Sequence, residues 1–436
     1  MSGSRASRRI SAGLVRNVAV LASGTAVAQG VLVVSAPILS RIYEPGAFGV
    51  LGLFMAIVAT VSVIATWRYE MAIVLPLSDE DAASLVCLSA FIVLVMSSLS
   101  ALLVLLFGNL MSDHLGSPQL APLLWWLPLA ILASGLYQVL NHWLTRNKQF
   151  FRLSALRVVR SVSQVGTQGA AGLLTAGSAG LVGGYLTGQV MATGVLATQV
   201  WRNDRQILGR AVNVSRLRAL AMQYLDFPKF SAPQGFLSAL SQNVTLFFLA
   251  FFFDSATVGL YVLAVRLLQL PITLISASLS QVFFQRATEV LHAGGDLYKL
   301  VIRATLSLIG IGLLPAAAVM VWGPELFAFA LGNEWERAGV YAQWLMLWLF
   351  FMFINPPAIS LYRVYRIEDH HLLQSSLLLI ARATGLTIGG VTDIGDVATI
   401  AIFAVISTIA NVILVWHVLR VCKLKSHGKN GGGQTI

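Results

Sequence analysis

Charge is scarce in this chain. Only 11% of its 436 residues are Asp, Glu, Lys or Arg, against about 25% in soluble domains. With 57% hydrophobic residues, this excludes a surface meant for water. Acid is the scarcer sign, with 18 Asp and Glu to 29 Lys and Arg. All the acidic positions can be assigned to loops or helix ends, so no carboxylate is expected deep in an apolar run. There are two cysteines, Cys87 in an apolar stretch and Cys422 in a basic tail. That excludes a disulfide framework and a cysteine metal site. Walker loops, zinc spacings and nucleophile elbows are all missing. The seven histidines sit in loops or at helix ends. No enzymatic constellation and no cofactor is therefore expected.

What fills the chain is long apolar runs. Twelve are near the ~20 residues a helix needs to cross a bilayer. They cover 14–38, 46–66, 82–107, 120–141, 155–175, 178–201, 230–252, 255–280, 299–322, 338–361, 372–391 and 397–419. The runs are continuous rather than alternating, which excludes a barrel. The fold class is thus an all-α polytopic membrane protein. The N-terminus resembles a secretory signal, with Arg5, Arg8 and Arg9 before an apolar stretch. That stretch continues to Pro37, so it reads as an uncleaved first span.

The basic residues orient the chain. With the N-terminus cytoplasmic, all but four of the 29 Lys and Arg fall on the inner side. Only Arg41 and Arg337 lie outside, and Arg266 and Arg382 lie within spans. This is the positive-inside pattern, so the net charge of +11 does not indicate nucleic acid. Arg146, Lys148, Arg152, Arg157 and Arg160 gather in the second inner loop, where anionic lipid head groups would hold them. The acidic run Asp79-Glu80-Asp81 reads as solvated capping of the third helix.

The longest connection, 202–229, is basic and has apolar residues every three or four positions. It is expected as an amphipathic helix in the inner interface. It would separate a six-helix lobe at 1–201 from a second at 230–419, with a flexible basic tail at 420–436. A faint repeat supports two halves of like orientation. EPGAFGVLGLFMAIV (44–58) aligns with DSATVGLYVLAVRLL (254–268), which sets Gly49 against Gly259. Parallel repeats of this kind flank sites near the midplane.

Arg266 stands out. It lies roughly 16 Å along its span from Ser255, where a guanidinium costs about 2.5–3.5 kcal/mol on insertion scales. It should face protein or water, and an anion would suit it. Gln269 lies one turn on. Thr25 and Gln29 in the first span, Gln164 and Gln168 in the fifth, and Gln234, Gln242 and Asn243 in the seventh add hydrogen-bonding groups. Each could simply bond a neighbouring helix. Together they could line a wet chamber for sugars. Pro233 and Pro271 should bend helices seven and eight beside it. Arg382, among glycines in helix eleven, reads more readily as a packing residue.

Three stretches resemble a known family: SGTAVAQGVLVVSAPILSRIYEPGAFGVLGLFMAIV, RYEMAIVLP and FPKFSAPQGFLSALSQNVTLFFLAFFFDSATVGLYVLAVRLLQLP. They are similar to bacterial oligosaccharide flippases of the O-antigen type. These polysaccharide biosynthesis transporters belong to the multidrug/oligosaccharidyl-lipid/polysaccharide exporter superfamily. The resemblance implies two lobes around a central cavity. It implies translocation of a polyprenyl-pyrophosphate-linked oligosaccharide to the outer leaflet of the bacterial inner membrane, for lipopolysaccharide or exopolysaccharide. It implies a monomer, with polysaccharide polymerase or glycosyltransferase partners. Arg266-Leu267…Pro271 matches a helix-eight pattern of the related lipid II flippases. Those relatives also use basic residues in their first two helices, which makes Arg16 and Arg68 the shallow candidates here.

Three other readings compete. A drug antiporter of the same superfamily would want a buried carboxylate. A membrane polysaccharide polymerase or ligase would want a large outer loop. A scaffold would recruit glycosyltransferases through its basic inner face.

Overall fold

The computed structural model describes residues 20–114, 117–211, 213–292, 295–364 and 368–428. Among the described residues every regular element is helical. The helices are α1 (Val20–Leu39), α2 (Pro45–Ser62), α3 (Asp79–His114), α4 (Leu127–Arg146), α5 (Phe150–Leu173), α6 (Gly177–Arg210) and α7 (Val214–Gln223). They continue with α8 (Ala232–Phe252), α9 (Ser255–His292), α10 (Leu297–Leu331), α11 (Glu336–Ile354), α12 (Pro356–Val364), α13 (Glu368–Val391) and α14 (Asp396–Gly428). Each of the twelve expected spans meets a helix. Among the described residues eight helices are long and apolar enough to cross a membrane, and nine if the bent pair Pro118–Leu124 and Leu127–Arg146 is one span. The expected tenth span is two pieces, α11 and α12, parted at Asn355 before Pro356. The protein is a multi-pass membrane protein.

Backbone breaks follow from local chemistry. In α10, Trp322 leaves helical geometry (φ −115°, ψ 23°) two residues before Pro324, whose ring clashes with the preceding turn. Pro233 lies inside the continuous helical stretch Phe227–Phe252, directly after a π-helical turn at Phe227–Ser231, a distortion of the kind a proline's missing N–H and ring impose on the turn before it. Pro271 lies inside α9.

The connection at 202–229 differs from the single interfacial helix that its periodicity suggests. Helix α6 runs on to Arg210, Asn213 caps α7 through its side chain, and Phe227–Ser231 is π-helical and leads straight into α8. One face of helix α7 packs on protein, while Val214 and Met222 on it stay exposed. Leu220 is buried against Tyr69, Trp143 and Leu85, and the Tyr69 hydroxyl donates to the carbonyl of Ala221 at 2.9 Å. Burial pushes the Tyr69 phenol above its ordinary pKa.

The chain divides into two compact units, Met1–Gly259 and Leu260–Ile436. The first has a core at one end of its bundle, where Ile73, Leu85, Trp143, Leu153 and Leu196 meet. In the second, Phe283, Leu297, Val301, Leu361 and Val418 form a cluster.

One contact in the first unit bears on the repeat. A methyl group added at Gly49 would overlap the carbonyl oxygen of Ser255 and lie 3.1 Å from the Gly259 nitrogen. One added at Gly259 would overlap the carbonyl oxygen of Pro45 and lie 2.8 Å from the Gly49 nitrogen. The glycines aligned by sequence therefore touch, each meeting the same atoms of the other's helix. Only a residue without a side chain allows backbones this close.

Candidate functional site

The candidate residues divide between the units. Thr25, Gln29, Arg68, Gln234, Gln242 and Asn243 belong to the first, and Arg266 and Gln269 to the second. Arg16 lies outside the described residues.

Helix geometry puts Arg266, Gln269 and Thr273 on one face of α9, at i, i+3 and i+7. The opposite side, with Leu260, Ala264 and Leu268, is buried. Arg266 and Gln269 are half-buried. Among the described residues no carboxylate pairs with Arg266 and no hydrogen bond is drawn to it.

Arg68 has different surroundings. It follows the left-handed Trp67 (φ 48°) and is itself left-handed (φ 63°), a conformation costing roughly 1–2 kcal/mol per residue outside glycine. This places its Nη1 3.7 Å from Oε1 of Glu70. Glu70 is fully buried and its other oxygen accepts from the Thr66 hydroxyl. Arg68 also packs on Gly235, the residue after Gln234. A carboxylate thus stands beside the guanidinium, and Glu70 is more enclosed than its loop position suggests. Both Arg68 Nε and Glu70 Oε1 lack a hydrogen-bond partner.

The amides mostly serve neighbouring backbone. Asn243 Nδ2 donates to the carbonyl of Ala239 at 2.9 Å and to Thr60 Oγ1 at 3.5 Å. Gln242 is exposed and bonds one turn back to Ser238. Gln234 is exposed, and Gln29 is half-buried. Gln164 and Gln168 are buried. Gln168 Nε2 donates to the carbonyl of Leu181, and its own carbonyl accepts from the Tyr43 hydroxyl. Gln168 thus ties α5 to α6 and to the loop after α1. Thr25 accepts a hydrogen bond from Arg157.

The inner-side charges are more organised than solvation and lipid anchoring imply. Arg146 binds Asp79 at 2.9 Å and the carbonyl of Pro76 at 2.5 Å. Arg216 binds Glu80 at 2.7 Å and Asp81 at 2.6 Å. These hydrogen bonds raise the Arg216 pKa above its ordinary value. The acidic run thus clamps α4 and α7 to the start of α3.

Arg382 is enclosed. Its Nε donates to Ser407 Oγ at 2.8 Å. Its guanidinium carbon lies 5.0 Å from the Trp348 ring centre and 5.1 Å from that of Phe403. This is the packing role. A cavity of about 320 Å³ opens nearby between α13 and α14. Leucine, isoleucine and alanine line it, and Asn411 is its one polar residue. It offers nothing to a charged head group. Among the described residues no cluster of metal-ligating side chains occurs.

Sequence reading missed Arg157 and Arg160 as more than surface anchors. Both are half-buried on α5, and Arg160 sits 5.8 Å from the ring centre of Tyr185. The signal was available: Ser154, Arg157, Ser161, Gln164 and Gln168 recur at helical spacing.

Comparison with known proteins places this geometry in context. The profile of a family described as polysaccharide biosynthesis protein matches residues 38–339. Among curated proteins none matches the sequence. Solved structures match over nearly the whole chain. The lipid II flippase MurJ, in an inward closed conformation, has a TM-score of 0.72 at 12% identity, covering 95% of this chain and 93% of that one. An inward-facing multidrug resistance MATE family transporter of the MOP superfamily has 0.67 at 15% identity, covering 94% and 96%. A MOP superfamily transporter from Pyrococcus furiosus, described as having a binding pocket of reverse polarity, has 0.59 at 14% identity, covering 93% and 95%. At these identities the likeness is one of fold.

Proposed function

The chain belongs to the polysaccharide biosynthesis protein family, and from that premise we propose that it is a lipid-linked oligosaccharide flippase. It carries a polyprenyl-pyrophosphate-linked oligosaccharide from the cytoplasmic to the periplasmic leaflet of a bacterial inner membrane by alternating access. Both termini lie in the cytoplasm, and two lobes, 1–201 and 230–419, do the work as a monomer. No covalent step is involved, and the sugar passes on to a polymerase or glycosyltransferase.

The observation that carries this reading is Arg266, a permanent cation in an apolar helix with no protein counter-ion among the described residues. A pyrophosphate offers the charge it lacks, in a geometry that suits the guanidinium fork. Gln269 and Thr273 on the same face supply hydrogen-bonding groups for sugar, and Gln29 of the first unit is a further sugar contact in this reading. Arg68 and Arg16 stand as entry-side contacts, with Thr25, Gln234, Gln242 and Asn243 as secondary ones.

The test is complementation of a deletion strain. Arg266→Ala should reach the membrane at normal levels yet leave lipid-linked sugar on the inner leaflet, and Arg266→Lys should restore part of the surface polysaccharide. Full surface polysaccharide with Arg266→Ala would end this reading.

A drug antiporter of the same superfamily is favoured by one observation, the fully buried Glu70. The neighbouring Arg68 offsets its charge, which weakens the attraction for an organic cation. Unchanged drug susceptibility in the deletion strain would discard this reading.

A further inference from the structure

Helix α5 is two-sided in a way that its position does not require. Phe151, Ala155, Val162, Gly166 and Ala170 are exposed and fall on one arc. Ser154, Arg157, Arg160, Ser161, Gln164 and Gln168 fall on the opposite arc. The second arc faces protein. Ser154 Oγ donates to the carbonyl of Val20 at 3.0 Å, Arg157 donates to Thr25 of α1, and Arg160 meets Tyr185 of α6. The two guanidiniums lie about 7 and 12 Å along the axis beyond Arg152. Holding two like charges one turn apart is unfavourable without an anion.

Among the described residues no carboxylate forms an ion pair with Arg157 or Arg160. The other acids of this unit with a recorded partner are engaged elsewhere. Asp79 binds Arg146, Glu80 and Asp81 bind Arg216, Glu70 meets Arg68 and Thr66, Asp204 accepts from Trp143, and Asp254 caps Thr257. Neutral groups hold Arg157 and Arg160, fixing their positions and leaving their charge.

We propose that Arg157 and Arg160 form a pyrophosphate-binding station in the first unit. Thr25 and Tyr185 orient the two side chains, and the ligand is a pyrophosphate ester. The assignment rests on the flippase reading for its physiological ligand, but the site itself can be measured without transport.

The experiment titrates the purified full-length Arg266→Ala protein in detergent with inorganic pyrophosphate, by calorimetry. The Arg266→Ala protein should bind. Adding Arg157→Gln and Arg160→Gln should weaken binding at least about tenfold, the scale of one charge-assisted bond. Adding Arg157→Lys and Arg160→Lys should keep it within about threefold, since a point charge still attracts phosphate. Gel filtration guards against misfolding; if the glutamine pair aggregates, Arg160→Gln alone against Arg160→Lys decides. A parallel titration includes phosphatidylglycerol in the micelles. Equal binding with and without the glutamines overturns the site, as does no binding by the Arg266→Ala protein. Full displacement by phosphatidylglycerol also overturns it, because the arginines would then be bilayer anchors. None of these results touches the flippase reading, which stands on the polysaccharide output of Arg266→Ala cells.

Discussion

Arg266 and Arg382 are both arginines within apolar helices of the same chain, and their surroundings differ. Two aromatic faces and a serine hydroxyl enclose Arg382, so the cost of taking its charge out of water is largely met inside the protein. Arg266 is also half-buried, but among the described residues no ring face, hydroxyl or carboxylate holds it. A membrane protein can hold a buried cation either by dressing it in protein or by leaving it to meet something that arrives. Burial alone does not tell the two apart. The neighbours do.

Substitution should separate them, with the largest effect at Arg382. Removing that side chain takes away two ring contacts and a charge-assisted hydrogen bond, together about 2–4 kcal/mol. Arg382→Ala should lower the melting temperature and the yield of folded protein, with transport per folded molecule retained. If its stability is normal and transport is lost, the two arginines are not different in kind. Next comes Arg266→Ala. Its loss should appear in transport, on the order of 10- to 100-fold in flipping rate, equivalent to about 1.5–3 kcal/mol. Melting should stay within a degree or two of the parent. The smallest effect belongs to Arg216, a half-buried cation paired with both Glu80 and Asp81. Arg216→Ala should increase proteolysis in the short stretch between α6 and α7, with little change in melting. Salt should shrink that difference, because exposed pairs are screened. The sign of its pH dependence follows from the raised pKa. Its contribution is present through the neutral range and fades only in strongly alkaline solution, which a protease series across pH 6–9 would register as a flat response.

Much of the fold was legible because apolar length and basic asymmetry act locally. The run beginning at Ser255 reads as a helix from composition, and α9 begins there. Its extension to His292 was not legible, since the segment after Gln281 carries Arg286 and Glu289 and looks like a loop. They form an ion pair 2.9 Å long on the helix surface. Pairings between distant residues were also hidden. Nothing in the spacing of Asp79-Glu80-Asp81 says that Arg146 and Arg216 will reach them, because that depends on how α4 and α7 pack on α3. At the candidate site, the absence of an acid near Arg266 could be read directly from the sequence. The orientation of the amides could not. Gln242 and Asn243 are adjacent, yet one turns to its own helix and the other also reaches Thr60. The stripe on α5 was readable as periodicity. It was overlooked because five basic residues near an inner loop look like lipid anchors, and only packing against α1 and α6 separates Arg157 and Arg160 from Arg152.

The meeting of Gly49 and Gly259 has a consequence for how errors combine. Two helices that present the same small residue to each other behave like subunits of a symmetric dimer whose copies share a chain. An alanine at either position would force open the same seam. The second alanine should then do less damage than the first, so Gly49→Ala and Gly259→Ala together should cost less than the sum of the two alone. Such a shortfall would mark the seam between α2 and the start of α9 as one contact that either helix can open.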